Sequence, residues 1–331
     1  MDLKSKYLGL DLSSPVVVAP SPLAKEVANI KKMEEHGAGA VVLGSLFEEQ
    51  LRAEAQEMEE RLDGTNANFA EASSFFPQIH EYRFGPTEYL KHIGAAKNAV
   101  NIPVIASLNG STSGGWTDYA KQIEEAGADA LELNIYAVPS DLTLSGTDLE
   151  ERHVAIVQSV RDAVKLPMAV KLSPFYSNVG NVAKRIADTG VEGLVLFNRF
   201  MQPDIDLDSK SVKASSYWST SEDQRLPYRW IAILKGRVDA NLAATGGIHE
   251  AEDVIKGLMV GADVTMLCSS LLKNGVEHLR KINLRVTKWA EDNGYASLDE
   301  LRGSLSQQKV SNPTAFERAQ FVKAIGTDLA A

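Results

Sequence analysis

The sequence predicts an α/β protein of the (β/α)8, or TIM barrel, class, with long loops after strands two and six and a C-terminal helical extension. An internal echo is the first sign: His36-Gly-Ala-Gly-Ala-Val-Val-Leu43, Glu125-Ala-Gly-Ala-Asp-Ala-Leu-Glu-Leu133, Asp188-Thr-Gly-Val-Glu-Gly-Leu-Val-Leu196 and Val260-Gly-Ala-Asp-Val-Thr-Met-Leu267. Each sets a glycine where a helix ends in a left-handed residue, then a short apolar run suited to a strand buried on both faces. The second sign is a pair of strands entered through proline, Ile102-Pro-Val-Ile-Ala-Ser-Leu108 and Leu166-Pro-Met-Ala-Val-Lys-Leu172. A strand entrance tolerates the missing proline N–H. The third is that segments with apolar residues at helical spacing fall between these strands.

In chain order, strand one is 15–20 and is followed by a helix over 27–36 and the first echo strand. A helix over 86–100 starts at Pro86 and leads to strand three. Helices over 117–126, 148–164 and 179–189 separate the next strands, several of them beginning after Ser, Thr or Asp. A helix over 227–238 starts at Pro227, strand seven is 240–245, and helices over 251–260 and 272–293 flank the last strand. Eight strands alternating with eight helices fit a closed barrel better than an open sheet. The connections 47–85 and 201–226 exceed simple barrel turns, and long loops at the C-terminal ends of barrel strands are where this architecture places recognition. The acidic run over 48–62 reads as a solvated helix, and the tail after Asn293 as two short helical pieces packed outside.

Composition sets the outer bounds. With 331 residues, 44% of them hydrophobic, the chain can bury one large core, so one domain over 1–331 is expected. A net charge of −10 disfavours nucleic acid or an anionic membrane as partner. The single cysteine, Cys268, excludes a disulfide framework and any intrachain four-cysteine cluster, and predicts a reducing, cytoplasmic setting. The N-terminus lacks the apolar stretch of a signal peptide, and no segment approaches the ~18 apolar residues of a membrane span. The six histidines show no paired spacing, so no metal site is expected.

The eight strand ends carry small or polar residues: Ala19 and Ser21, Gly44 and Ser45, Asn109, Asn134, Lys171, Asn198, Gly246 and Gly247, and Cys268 with Ser269 and Ser270. A lysine after Met168-Ala-Val is hard to account for as core, because an unpaired ammonium inside a barrel is costly. Asn134 and Asn198 each end an apolar strand and together suit a planar hydrogen-bonding ligand. Thr245-Gly-Gly, the helix after it and Ser269-Ser270 at the next strand end form a nest for a phosphate. Cys268 reads as a small buried apolar residue beside that nest.

The segments VVVAPSPLA, GAVVLGS, ELNIYAVPS, AVKLSP, LVLFNR, ATGGIHEAEDVIKGLMVGADVTMLCSSLLKNG and GYASLDELRG resemble the dihydroorotate dehydrogenase family of FMN-dependent barrels, from about Leu8 to Gly303. The resemblance implies that Gly246, Gly247, Cys268 and Ser269 bind the FMN phosphate, that Lys171 sits by the flavin ring, and that Ala19, Ser21, Ser45 and Asn109 line the rest of the cofactor. Asn134 and Asn198 are expected at the cofactor and the substrate. It also implies a dehydrogenase of pyrimidine biosynthesis turning dihydroorotate into orotate, working as a soluble homodimer or with an electron-acceptor protein.

The departures lie on the substrate side. The family carries a Cys or Ser base in Asn-x-Ser-(Cys/Ser)-Pro-Asn, whereas this chain has Asn134-Ile-Tyr-Ala-Val-Pro-Ser-Asp141, which sets Ala137 or Val138 at the base position. The family's strand-two lysine is replaced by Gly44, its substrate loop by His80-Glu-Tyr-Arg-Phe-Gly-Pro86, and Arg199 follows Asn198 where a small hydroxylic residue is usual. Tyr136 and Ser140 are the leading substitutes as acid or base, followed by His80, Tyr82, Arg83 and Asp141. Arg199 suits a substrate carboxylate, or pairs with Asp204 or Asp206. The expectation is an FMN oxidoreductase acting on a C–C bond of a small planar anion. A flavin-binding electron-relay subunit, or a non-redox Schiff-base lyase built on Lys171 and the phosphate nest, are the alternatives.

Overall fold

A computed structural model describes residues 1–47, 85–110, 116–135, 138–214 and 218–317. The chain opens with an antiparallel hairpin, β1 (Ser5–Tyr7) and β2 (Leu10–Leu12), and enters the barrel with β3 (Val16–Val18). The barrel continues with β4 (Ala40–Val42), extended by β5 (Leu46–Phe47), and with β6 (Val104–Gly110), β7 (Ala130–Ile135), β8 (Met168–Lys171) and β9 (Gly193–Leu196). A second hairpin, β10 (Pro203–Asp206) and β11 (Ser211–Ala214), interrupts it. Strands β12 (Asn241–Thr245) and β13 (Val264–Leu267) complete it. Pairing runs β3, β4, β6, β7, β8, β9, β12, β13 and returns to β3, all parallel, so the sheet closes.

Period-two alternation divides the strand residues between two cores. Val18, Val41, Val104, Leu131, Leu133, Leu194 and Leu267 face outward and pack under the helices. Val17, Val42, Ile105, Ala130, Ala169, Val195, Ala243 and Met266 fill the interior together with Tyr7, Leu8 and Leu12 of the first hairpin, which plugs the N-terminal end of the barrel. Gly193 makes that plug fit, since a Cβ there would lie 2.5 Å from Leu8 Cδ2. The plug is tied down by Leu8 N–H to Asn241 Oδ1 (2.9 Å) and Ser5 Oγ to the Asp263 carbonyl (2.9 Å).

The helices Val27–Glu35, Pro86–Lys97, Trp116–Glu125, Gly146–Ala163, Val179–Ala187, Arg225–Leu234 and Ala251–Val260 stand where helical spacing places them. Two start at side-chain caps: Ser145 Oγ accepts from Asp148 N and Asn178 Oδ1 from Asn181 N. The helix expected over 272–293 is in fact two, Ser269–Asn274 and His278–Asp292, separated at Gly275 with φ +80°. A 3-10 turn, Ser221–Gln224, starts the segment before Pro227, because proline is accepted inside a first turn. Neither hairpin was expected. β1 and β2 are only three residues each, and β10 and β11 expose Ile205 and Val212, so their pattern does not mark a buried sheet. After Asn293 come the helix Leu298–Leu301 and the 3-10 turn Pro313–Phe316. The acidic run over 48–62 lies outside the described residues. No helix among the described residues is long and apolar enough to cross a membrane.

Candidate active site

Parallel register lines up three of the predicted residues. Asn109 on β6 pairs with Asn134 on β7, and Asn134 with Lys171 on β8, so the three stand side by side near the C-terminal rim. Asn198, just past β9, joins them by donating from Nδ2 to Asn134 Oδ1 at 3.0 Å. Two residues deeper, on the same inward face, lie Ser107 and Glu132. Lys171 Nζ is 3.5 Å from Glu132 Oε1, inside a wall where the carboxylate is 1% exposed. A lysine in the barrel interior is thus accommodated by a buried counter-charge.

A rim cavity of about 280 Å³ opens beside β3 and β4, lined by Ser21, Lys25, Gly44, Ser45, Tyr89 and His92 among others. Ser45 Oγ is 2.8 Å from Ser107 Oγ, and the Tyr89 hydroxyl accepts from Ser107 N–H (2.8 Å) while donating to its carbonyl (3.2 Å). His92 Nε2 is bound to the Ala24 carbonyl at 2.8 Å. Ser21 is buried, and its Oγ has no hydrogen-bond partner among the described residues. Ser21 thus brings to the cavity wall a buried hydroxyl that no described residue engages. Lys25 brings a cation to the wall where Gly44 supplies none.

Across the barrel lie the ends of β12 and β13, where the sequence leads one to expect the nest. Gly246 and Gly247 have φ of +92° and +77°, the left-handed region that favours glycine. A Cβ on Gly247 would lie 2.4 Å from Gln224 N and 2.7 Å from Thr220 O, whereas one on Gly246 would meet nothing within 4 Å. Gly247 is thus packed against the loop behind, and Gly246 faces open space. Cys268 N-caps the helix Ser269–Asn274 beside it. Burial pushes the Cys268 thiol up from its usual value, against the opposing pull of Lys171 and Arg199. A raised thiol is a poor nucleophile, which agrees with the reading of Cys268 as packing.

The loop after strand six is clamped to this nest. Ser219 N–H donates to Ser269 Oγ (3.3 Å), and Ser219 Oγ meets His249 Nε2 (3.0 Å). Ser221 Oγ and Gln224 Nε2 each donate to the Asp253 carboxylate at 2.8 Å, which also takes the amides of His249 and Glu250. Burial pushes the Asp253 carboxyl up, but these hydrogen bonds together outweigh it and hold the group below its ordinary value. Burial keeps His249 below the usual histidine value, with Asp253 opposing.

Not every predicted residue joins the cluster. Ser140 is exposed, as is Val138. Asp141 bonds its own turn, at Thr143 N and Oγ1, so it is occupied there. Asp206 is held by Ser209 N–H and Lys213. Tyr136, Ala137, His80, Tyr82 and Arg83 lie outside the described residues. Sequence reasoning passed over Glu132, Lys25, Ser107, Tyr89 and the His249–Asp253 clamp. Glu132 was legible, since it stands two residues before Asn134 in an otherwise apolar strand. Tyr89 and His92 sit in a helix whose pattern reads as ordinary amphipathic packing.

Residues 78–289 match the family described as Dihydroorotate dehydrogenase. A Methanocaldococcus jannaschii protein named "Dihydroorotate dehydrogenase B (NAD(+)), catalytic subunit" is 24% identical over 307 residues, 91% of this chain and 97% of its own. A Thermoplasma volcanium protein of the same name is 27% identical over 311 residues, 91% and 98% of the two chains. A Limosilactobacillus reuteri protein named "Dihydroorotate dehydrogenase A (fumarate)" is 26% identical over 270 residues, 78% and 84% of the two.

Proposed function

Since the chain belongs to the dihydroorotate dehydrogenase family, we propose that it is an FMN-dependent oxidoreductase acting on a C–C bond of a small, planar, anionic substrate. The observation that carries this reading is Asn109, Asn134 and Lys171 in one register row, facing a Gly-Gly nest across the barrel. The residues present suit FMN: Gly246 leaves open space that a Cβ would enter, and Ser21 keeps a buried hydroxyl without a partner. Gly246, Gly247 and Ser269 would hold the phosphate, with Cys268 packing beside it, and Ala19, Ser21, Ser45 and Asn109 the rest of the cofactor. When bound, FMN supplies the hydride acceptor.

The chain's own groups do the remaining work. Lys171, kept in place by Glu132, presents a cation to whatever negative charge develops above the rim. The Asn134–Asn198 pair orients a planar substrate, since the bond between the two amides fixes which of their atoms face outward. Arg199 is the partner for a substrate carboxylate. The base of the family motif is replaced by Ala137 or Val138, neither of which can take a proton, so the proton must go elsewhere. Tyr136 is the first candidate, and Ser140 would need its exposed loop to fold inward. A positioned base supplies about 10² to 10⁴ in rate. Dihydroorotate is for that reason a poorer substrate here than in a member that keeps the base.

The ion pair of Lys171 with Glu132 weighs against a Schiff-base lyase, which needs the lysine as a neutral amine. The names of the relatives, as catalytic subunits, support a partner protein as the electron acceptor. Two measurements test the proposal. Purified protein, incubated with FMN and desalted, is expected to show oxidised-flavin absorbance, and colourless protein overturns it. Stopped-flow mixing with dihydroorotate is expected to bleach that flavin slowly, and rapid bleaching would show that the missing base does not matter.

A further inference from the structure

Glu132 precedes Asn134 by two residues on β7 and so shares its inward face. Its side chain is buried, and among the described residues neither carboxylate oxygen has a hydrogen-bond partner. The cation it meets is Lys171, 3.5 Å away toward the rim. From below comes Tyr7 of the plug, whose hydroxyl is likewise buried and without a partner. Burial first, and then the Glu132 and Asp263 charges, push the Tyr7 phenol well above its ordinary value, so Tyr7 stays neutral and adds no charge of its own.

An ion pair this deep is a poor device for stability. Desolvating a carboxylate is costly, and apolar residues of equal volume commonly serve the fold as well or better. Two of the neighbouring interior positions are apolar, Ala130 on the same strand and Ala169 beside Glu132 in register. What Glu132 does that an apolar residue cannot is fix the Lys171 ammonium at one place and offset its charge. The cation at the rim then acts as half of a compensated pair.

We propose that Glu132 is a positioning residue that holds Lys171 from beneath and sets how strongly that lysine favours negative charge on the cofactor. The inference rests on the FMN reading above. Reduction of a flavin adds negative charge, which an uncompensated lysine stabilises more than a compensated one. Removing the Glu132 charge therefore raises the midpoint potential of the bound flavin.

The test is Glu132→Gln, which keeps the volume and removes the charge. The ratio of reduced to oxidised FMN affinity is expected to rise about tenfold, equivalent to roughly 30 mV for a two-electron couple. In a Lys171→Met background the same substitution is expected to move the ratio less than threefold. An unchanged potential in Glu132→Gln, or an equal shift in both backgrounds, overturns the proposal and leaves Glu132 as filling. If Glu132→Gln does not fold, Glu132→Asp draws the carboxylate back and is expected to raise the ratio about threefold, no rise again overturning the idea. Protein that takes up no FMN defeats the cofactor reading, and the positioning role is then read without it. Acetic anhydride labelling of Lys171, followed by peptide mass mapping, is expected to run about tenfold faster in Glu132→Gln or Glu132→Asp, and equal rates refute the positioning role.

Discussion

Asn198 donates from Nδ2 to Oδ1 of Asn134 across 3.0 Å, linking the ends of β9 and β7 over the mouth of the barrel, with Lys171 on the strand between them. Because the acceptor on Asn134 is already engaged, its NH₂ group is the part left to face a ligand. The two amides are therefore not equivalent under substitution. Asn134→Asp keeps the acceptor and the bond while turning the ligand-facing donor into an acceptor, so FMN affinity should fall about tenfold with little change in melting temperature. Asn198→Asp removes the donor and sets two acceptors face to face, which should lower affinity and melting temperature together. Fluorescence titration with FMN and a thermal melt read both quantities, and equal behaviour of the two variants would contradict the hydrogen-bond assignment.

The two nest glycines differ in the same way. Gly247→Ala forces a Cβ to within 2.4 Å of Gln224 N and 2.7 Å of Thr220 O, both backbone atoms that have no rotamer to retreat into. The loop clamped by Asp253 must then move, and the protein should melt several degrees lower. Gly246→Ala meets no atom within 4 Å and carries only the strain of its +92° φ, about 1–2 kcal/mol. Its methyl enters the space assigned to the phosphate, so FMN affinity should drop at least tenfold while the melt falls less than in Gly247→Ala. A Gly246→Ala protein with undiminished affinity would remove the phosphate from this nest.

These two sites also mark what the sequence could and could not disclose. Strand ends are local: a glycine stop or an entering proline before an apolar run marks the strands that carry Asn134, Lys171 and Asn198, and the structure sets these residues at strand ends. Partners are not local. The counter-charge of Lys171 comes from the neighbouring strand, 39 positions earlier, through a register that only the closed sheet defines. The clamp on the nest joins Ser219 to His249 and Ser269, which no short-range pattern connects. The same holds for the plug, whose Tyr7 and Leu8 meet Gly193, far along the chain.

That plug gives a stability prediction. Asp263 accepts from Leu242 N–H (2.8 Å) and Lys235 Nζ (3.2 Å) and lies 3.7 Å from Arg302 Nε, while Arg302 Nη2 reaches Ser5 Oγ at 2.8 Å. One carboxylate thus links β12, the outer helices and the first hairpin. Asp263→Ala leaves the Leu242 amide without its acceptor and Lys235 without its carboxylate, while Arg302 keeps Asp299, a loss of about 1–3 kcal/mol. The melting temperature should fall by several degrees. Flavin binding measured well below the melt should be nearly unaffected, because the plug closes the end of the barrel opposite the rim.

Acid sensitivity should come from two histidines before it comes from carboxylates. Burial, with the Arg152 charge adding to it and Glu150 opposing, holds His153 below 6.5, and burial does the same to His249. His153 Nδ1 is 3.0 Å from the Tyr176 hydroxyl, and His249 Nε2 is 3.0 Å from Ser219 Oγ. A histidine whose folded value is depressed contributes stability that is fully present above the unfolded value of about 6.5 and is lost as pH falls through the folded value. In that window the unfolded chain binds protons that the folded chain refuses. The melting temperature of the wild type should therefore decline from pH 7.5 to pH 5.5, above the range in which most carboxylates titrate. Replacing both residues, His153→Gln and His249→Gln, keeps a hydrogen-bonding amide at each place and should flatten that decline to less than half. The single variants separate the two sites, each expected to remove its own share of the decline. A decline equally steep in the double variant would assign the acid sensitivity to groups other than these two histidines.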